Sequence, residues 1–279
     1  MMTTPRPMMT TPGQDGAVWD RRRVLVGLAG VVWVAVVLVA GLGYAVYATV
    51  TTTGSRERHV APTDANGSTV SVGRPGRDAV AARPLLPVAP EDARPTTPAA
   101  VPAPLLVVPL PTRAGPVGVP TGFPRTPEGA VGQLGAITST VLRTMSISSA
   151  TAVHDGWALP GGVAASRWEL TGHVQAFLGA ARMGQSLDAA ATVVAYPAAG
   201  QVKGVDGPGW VLACVLLEVR ATITVEARMG YGHCAPMQWH QGRWMIAAGT
   251  PAARAPSTWP GSEVAARAGW RAWADSGAG

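Results

Sequence analysis

Charged, amide and thiol side chains are scarce in this chain. Of 279 residues, 14% are charged, one is lysine (Lys203) and one is asparagine (Asn66). There are two cysteines, Cys214 and Cys234. So few thiols exclude a cysteine-dense scaffold and a CxxC-paired zinc module. No GxSxG, no HExxH and no phosphate-cradling glycine loop occurs, which removes the common signatures of hydrolases, zincins and nucleotide-binding folds. The net charge of +6 has no focus: residues 1–23, 51–124 and 125–279 each carry a surplus of two basic residues. A nucleic-acid binder gathers such residues into a patch or stripe, so no direct nucleic-acid contact is expected. Twenty-one arginines against a single lysine, with Ala, Gly, Pro and Val abundant, fit GC-rich coding bias. Many Arg and Ala choices therefore carry little functional information.

Residues 24–50 form a long apolar run without a charge. At 1.5 Å per residue it is long enough to cross a hydrocarbon core of about 30 Å. A helix satisfies its own backbone in lipid, so the run predicts a transmembrane helix. Arg21, Arg22 and Arg23 directly precede it and predict a cytoplasmic N-terminus with the rest outside the membrane. A cleavable signal peptide is the rival reading, with Val46-Tyr47-Ala48 as the processing site. Signal h-regions run about 7–15 residues, so a retained single-pass anchor is favoured. Both readings export the remainder.

Four segments follow from composition. Residues 1–20 predict a short disordered cytoplasmic tail, and 21–50 the transmembrane helix. Residues 51–124 hold more than half of the 25 prolines, which disfavours helices and central strands. They predict an extended extracytoplasmic linker reaching on the order of 200 Å if fully polyproline-like. Residues 125–275 predict the folded extracytoplasmic domain. Thr126 is a good N-cap, Pro127 suits a first turn and Glu128 complements the helix dipole. An apolar stripe through Val131, Leu134, Ile137, Val141 and Leu142 extends that helix to about Met145. Further helices are predicted near 149–158, near 166–183 and after Ser262.

The period then changes. Thr192–Tyr196 predicts a strand stopped by Pro197. Trp210–Arg220, Ala227–Trp239 and Arg243–Ala247 predict more strands, the last two joined by a tight Gln241-Gly242 hairpin that sets Trp239 opposite Trp244. Helices followed by a strand meander imply an α+β fold with helices on one face of a curved antiparallel sheet. A turn centred at residue 224 places Cys214 directly opposite Cys234, which predicts a disulfide.

Candidate chemistry is thin. Cys214, His233, Cys234 and His240 could be read as zinc ligands, but their spacing lacks the usual close pairs, and no metal or cofactor is expected. Tyr196, Tyr231, Asp188 and Asp206 are the residues of the right type for a Tyr–Asp isomerase site in a sheet cavity. No catalytic residue is assigned. Most of the ten tryptophans lie in the domain. Trp259, Trp270 and Trp273 are expected to stand exposed as interface anchors, with packing on the sheet as the alternative.

Three phrases carry a resemblance: Pro124-Arg125-Thr126-Pro127-Glu128-Gly129-Ala130-Val131, Trp239-His240-Gln241-Gly242-Arg243-Trp244-Met245-Ile246, and Ser257-Thr258-Trp259-Pro260-Gly261. With the two cysteines, they resemble a family of actinobacterial single-pass membrane proteins associated with conjugative and integrative elements. The order of tail, span, linker and domain is similar to inner-membrane core subunits of type IV secretion systems, which carry a nuclear-transport-factor-2-like domain. The resemblance implies a non-catalytic scaffold in DNA transfer, homo-oligomeric and assembled with other envelope subunits. A membrane-anchored ligand-binding or enzymatic module using the sheet cavity is the alternative. The predicted topology is open to a direct check: a reporter active only outside the cytoplasm, fused after Gly279, should be active in cells. Activity from cytoplasmic reporters alone at that position would overturn it.

Overall fold

The apolar run beginning at Trp210 becomes the middle of a six-stranded sheet. In the computed structural model, which describes residues 75–277, helix α1 (Pro75–Ala82) leads to strands β1 (Leu105–Val108), β2 (Arg113–Ala114) and β3 (Pro120–Thr121). Helices α2 (Pro127–Thr144), α3 (Ile147–Trp157) and α4 (Glu169–Ala180) follow. Strands β4 (Thr192–Val205), β5 (Trp210–Thr222), β6 (Glu226–His240) and β7 (Arg243–Ile246) come next, then helix α5 (Glu263–Arg267) and strand β8 (Arg271–Asp275). The anticipated span, the arginine triplet and the site near Ala48 lie outside the described residues. Among the described residues, no helix is long and apolar enough to cross a membrane.

The fold is α+β, with helices on an antiparallel-rich sheet curled into a half-barrel. Its strand order is β1-β8-β4-β5-β6-β7, and β2 and β3 form a separate small ladder. Helix α2 starts as the sequence predicts: the Thr126 hydroxyl accepts from the Gly129 amide at 3.0 Å, and Pro127 fills the first turn. Val131, Leu134, Ile137, Val141 and Leu142 are buried on its inner side. Close approach requires a bare backbone at Gly132, where a Cβ would stand 2.6 Å from the Phe123 ring.

Strand β5 is buried without interruption from Trp210 to Leu217. Val211, Ala213, Val215 and Leu217 join the helix-side core. Trp210, Leu212, Cys214 and Leu216 point the other way, into smaller clusters with Val80, Ala255 and Trp270. The sheet is therefore covered on both faces, whereas the sequence anticipated cover on one. The second cover comes from residues 75–104 and 247–270, largely irregular chain.

This corrects the reading of 51–124 as a spacer throughout, because residues 75–124 belong to the folded unit. Proline is barred from central strands but tolerated on edges, and β1 is an edge strand between Pro104 and Pro109. It pairs on one side alone, in parallel with β8, Leu105 opposite Ala272. Helix α1 is held by side chains from the sheet. Arg77 pairs with Asp206 and lies 5.4 Å from the Trp210 ring centroid. Lys203 donates to the carbonyls of Ala81 and Arg83 at the end of α1, where a cation complements the helix dipole.

Two further boundaries differ. Pro197 does not stop β4, because the register slips between Pro197 and Ala199. On the other side β8 reaches only Ala199 and Gly200, so the missing N–H of Pro197 has no ladder to break. The helix expected after Ser262 forms as α5, the Ser262 hydroxyl accepting from the Ala265 amide at 3.1 Å, but it ends at Arg267 and Trp273 falls in strand β8. The β6–β7 hairpin forms in the anticipated register, Trp239 opposite Trp244 and Met237 opposite Ile246. Gln241 (φ 47°) and Gly242 (φ 78°) both take positive φ, as a two-residue primed turn requires.

Cys214 and Cys234 oppose each other in the β5–β6 ladder and form a disulfide, Cα–Cα 4.0 Å. It closes a loop of twenty residues, for which the chain-entropy model gives about 3 kcal/mol. Replacing both cysteines by alanine should lower the unfolding free energy by about that amount, read as a reduced denaturant midpoint with a slope raised by the less compact unfolded chain. A midpoint equal to the parent's would show that the bridge adds no stability.

Candidate functional site

One polar cluster interrupts the apolar helix–sheet contact. Glu169 and His173 stand one turn apart on α4, so they share a face. Tyr231 and His233 alternate on β6 and point to the same side of the sheet, the helix side. Leu170, Val174 and Leu178 of α4 are fully buried alongside, which fixes how the helix presents its polar pair.

The four side chains form two polar contacts and one ring stack. His173 Nδ1 lies 2.6 Å from the Tyr231 hydroxyl, the ring tautomer deciding which of them donates. Their rings meet edge-on with centroids 5.4 Å apart. Glu169 Oε2 lies 3.1 Å from His233 Nδ1, an ionic contact when that ring is protonated. His233 is 3% exposed, stacks on Tyr231 at 6.4 Å, and neither of its ring nitrogens has an aligned hydrogen-bond partner. The Glu169 side chain keeps 40% of its surface open.

The electrostatics follow from this geometry. Burial opposes ionisation of Glu169, but contact with His233, aided by His173 and Arg254, holds its carboxyl down at about 2. Burial lowers the basicity of His173, with His233 and Arg254 adding to it against the pull of Glu169. Burial, reinforced by the Glu169 charge, keeps the Tyr231 phenol protonated well above its ordinary range. The arrangement is thus a carboxylate, two imidazoles and a phenol that tie α4 to β6, with Glu169 at its open flank.

Protein-family models, curated proteins and solved structures return no match to this chain.

The other candidates from the sequence fall apart as sites. The zinc reading fails at its thiols, since Cys214 and Cys234 are bonded to each other, and His233 faces the helices while Cys234 faces away. His240 is exposed at the end of β6. Among the described residues no group of three or more His, Cys, Asp or Glu could hold a metal ion. Tyr231 and Asp206 do not meet: Tyr231 sits at the level of Leu217, whereas Asp206 lies beyond Val211 at the far end of the ladder. Asp188 is exposed, and Tyr196 lies beside Arg220 at 5.6 Å. His154 is occupied by Asp155 and the Val163 carbonyl.

The expectation of exposed tryptophans is also corrected. Trp270 is 2% exposed and donates to the Pro256 carbonyl at 3.2 Å. Trp259 is partly buried under the Arg228 guanidinium at 5.1 Å. Trp273 packs against the core. The irregular second cover has few aliphatic side chains, and Trp270 fills it, whereas Trp273 lies on the helix side. Exposed apolar side chains include Leu105, Val107 and Leu110 in and after β1, each half open or more, besides scattered valines such as Val101, Val205 and Val225. A groove of about 450 Å³ runs beside β1, lined by Leu105, Val107, Pro109, Glu128 and Arg271.

Glu169 escaped the sequence reading, although a Glu and a His four apart on a helix, facing Tyr-x-His on a strand, was a usable signal. Two outcomes are expected from the cluster. Tyr231→Phe should cost about 1 kcal/mol of unfolding free energy through the lost His173 bond, measured by denaturant titration. The folded-state pKa of Glu169 is depressed, so its contribution is present above about 4.5 and lost as pH falls towards 2. The loss of stability across that window should therefore be smaller in Glu169→Gln.

Proposed function

We propose that this chain is a structural, non-catalytic subunit of a conjugative DNA-transfer apparatus of type IV secretion kind, anchored in the membrane by residues 21–50. The observation that carries the reading is the filling of the sheet. The concave, helix-covered face, where a nuclear-transport-factor-2-like fold would hold a ligand, is occupied by one continuous core from Leu106 to Ile246. The cluster on α4 and β6 is engaged with itself rather than arranged round an open pocket. A binding module needs the opposite, a concave site with a few convergent free polar groups.

Three further features support it. The uncharged run behind Arg21, Arg22 and Arg23 fits a single-pass anchor with the domain outside. A buried disulfide suits an oxidising compartment. The exposed apolar edge at Leu105, Val107 and Leu110 fits contact with further copies or with other envelope subunits. The motif resemblance at Pro124–Val131, Trp239–Ile246 and Ser257–Gly261 supplies the conjugative context. The ligand-binding or enzymatic alternative rests on the Glu169, His173, Tyr231 and His233 cluster.

In-cell cross-linking of the full chain should capture homo-oligomers. Deleting residues 75–279 should abolish transfer of the host element while growth stays normal. A chain that stays monomeric, together with unaffected transfer in the deletion strain, would overturn the scaffold reading in favour of the alternative.

A further inference from the structure

We propose that the free edge of β1 pairs with the same edge of a second copy, antiparallel about a two-fold axis at Leu106, so that two sheets join into one. The inference rests on the scaffold reading and names the partner of its exposed edge. In a parallel ladder, alternate residues turn their N–H and C=O groups towards the neighbouring strand. The Ala272 amide donates to the Pro104 carbonyl and the Ser276 amide to the Val108 carbonyl, so Pro104, Leu106 and Val108 face β8. Leu105 and Val107 therefore turn their backbone groups to the free edge, where no strand lies among the described residues. The Arg271 guanidinium donates to the Leu105 carbonyl at 2.6 Å, which leaves that oxygen a second lone pair.

The same two residues carry the exposed side chains. Leu105 is 59% and Val107 54% exposed, while Leu106 and Val108 are buried. An unpaired edge with open apolar side chains is a template for strand addition.

Three features select a copy of β1 as the added strand. Pro109 is the next residue to face outward and has no N–H, so the edge suits a short strand, and β1 spans four residues. With the axis at Leu106, Leu105 stands opposite the partner's Val107, and each such pair exchanges both of its N–H···O bonds. Their side chains then lie on one face and cover each other. Finally, the groove beside the edge is lined by both Glu128 and Arg271. A patch holding both signs complements itself under a two-fold axis, whereas a partner of uniform charge would meet a like charge. Pairing of like edges also closes at two copies, while β1 on β7 would leave free edges and propagate.

The full chain in detergent tests this, with no free thiol from Cys214 or Cys234 because they are bonded to each other. Differently tagged copies carrying Leu105→Cys and Val107→Cys, mixed under mild oxidation, should form the mixed disulfide, because hydrogen-bonded partners stand about 5.5 Å apart. Two Leu105→Cys copies should not link, since that pair lies beyond the roughly 7 Å limit for a bridge. Val107→Pro removes an outward N–H from an edge that tolerates proline, and Val107→Lys places a charge on the apolar face. Each should weaken dimerisation, read by energy transfer between tagged copies, by about tenfold or more, with the denaturant midpoint unchanged. If Val107→Pro fails to fold, Val107→Lys carries the test. A parent that stays monomeric would overturn the edge pairing. So would dimers of undiminished affinity in the folded variants, or a β1 cysteine that links to a different protein. The scaffold reading falls separately, when a monomeric chain is joined by transfer that survives deletion of residues 75–279.

Discussion

Strand β5 carries apolar side chains on both of its faces, and each face needs a cover. A surface helix or a half-exposed strand can settle one face against the core and leave the other to water. A strand buried from Trp210 to Leu217 cannot. The helices α2 to α4 settle one side by regular means, with capped ends and an apolar stripe. The other side is closed by α1, α5 and irregular chain, in which small residues such as Ala252 and Ala255 and the single large ring of Trp270 do the filling. Much of the remaining architecture follows from that demand, including the recruitment of a proline-rich segment as cover.

The features legible in the sequence are those with local causes. Thr126-Pro127-Glu128 specifies a helix start irrespective of its surroundings. The Gln241-Gly242 turn fixes the register of its hairpin, and a turn at residue 224 fixes the opposition of Cys214 and Cys234. What was not legible depends on partners far along the chain. Proline density argued against structure in 75–124, but a strand with one free edge has no need of a full set of N–H donors. Pro197 looked like a stop because nothing nearby in sequence reveals that β8 ends short of it. The role of Trp270 was decided by which face lacked cover, and that of Trp273 by the helix-side core it meets, both properties of the assembled sheet.

The polar cluster shows the same limit. Glu169 and His173 are neighbours by helix geometry, Tyr231 and His233 by strand geometry, and each pair was visible alone. That they face each other follows from the packing of α4 across β6, fixed by Leu170, Val174 and Leu178. A cluster on the core side of a sheet can be the start of an active site or a device that holds two layers together. Here both imidazoles already have neighbours within the cluster, and the apolar core fills the space beside it, which favours the holding role.

Strand β1 finds its partner at the other end of the described chain, Leu105 opposite Ala272. A contact of such separation forms late, after the intervening chain has been ordered. A chain made from its N-terminus therefore carries β1 unpaired through nearly the whole of synthesis. Four apolar residues with a bare edge are a hazard during that wait, and Pro104 and Pro109 on either side limit what else can pair with them. The prolines that looked like the mark of an unstructured spacer thus also act in time: they keep the first strand of the sheet vacant until its last strand arrives.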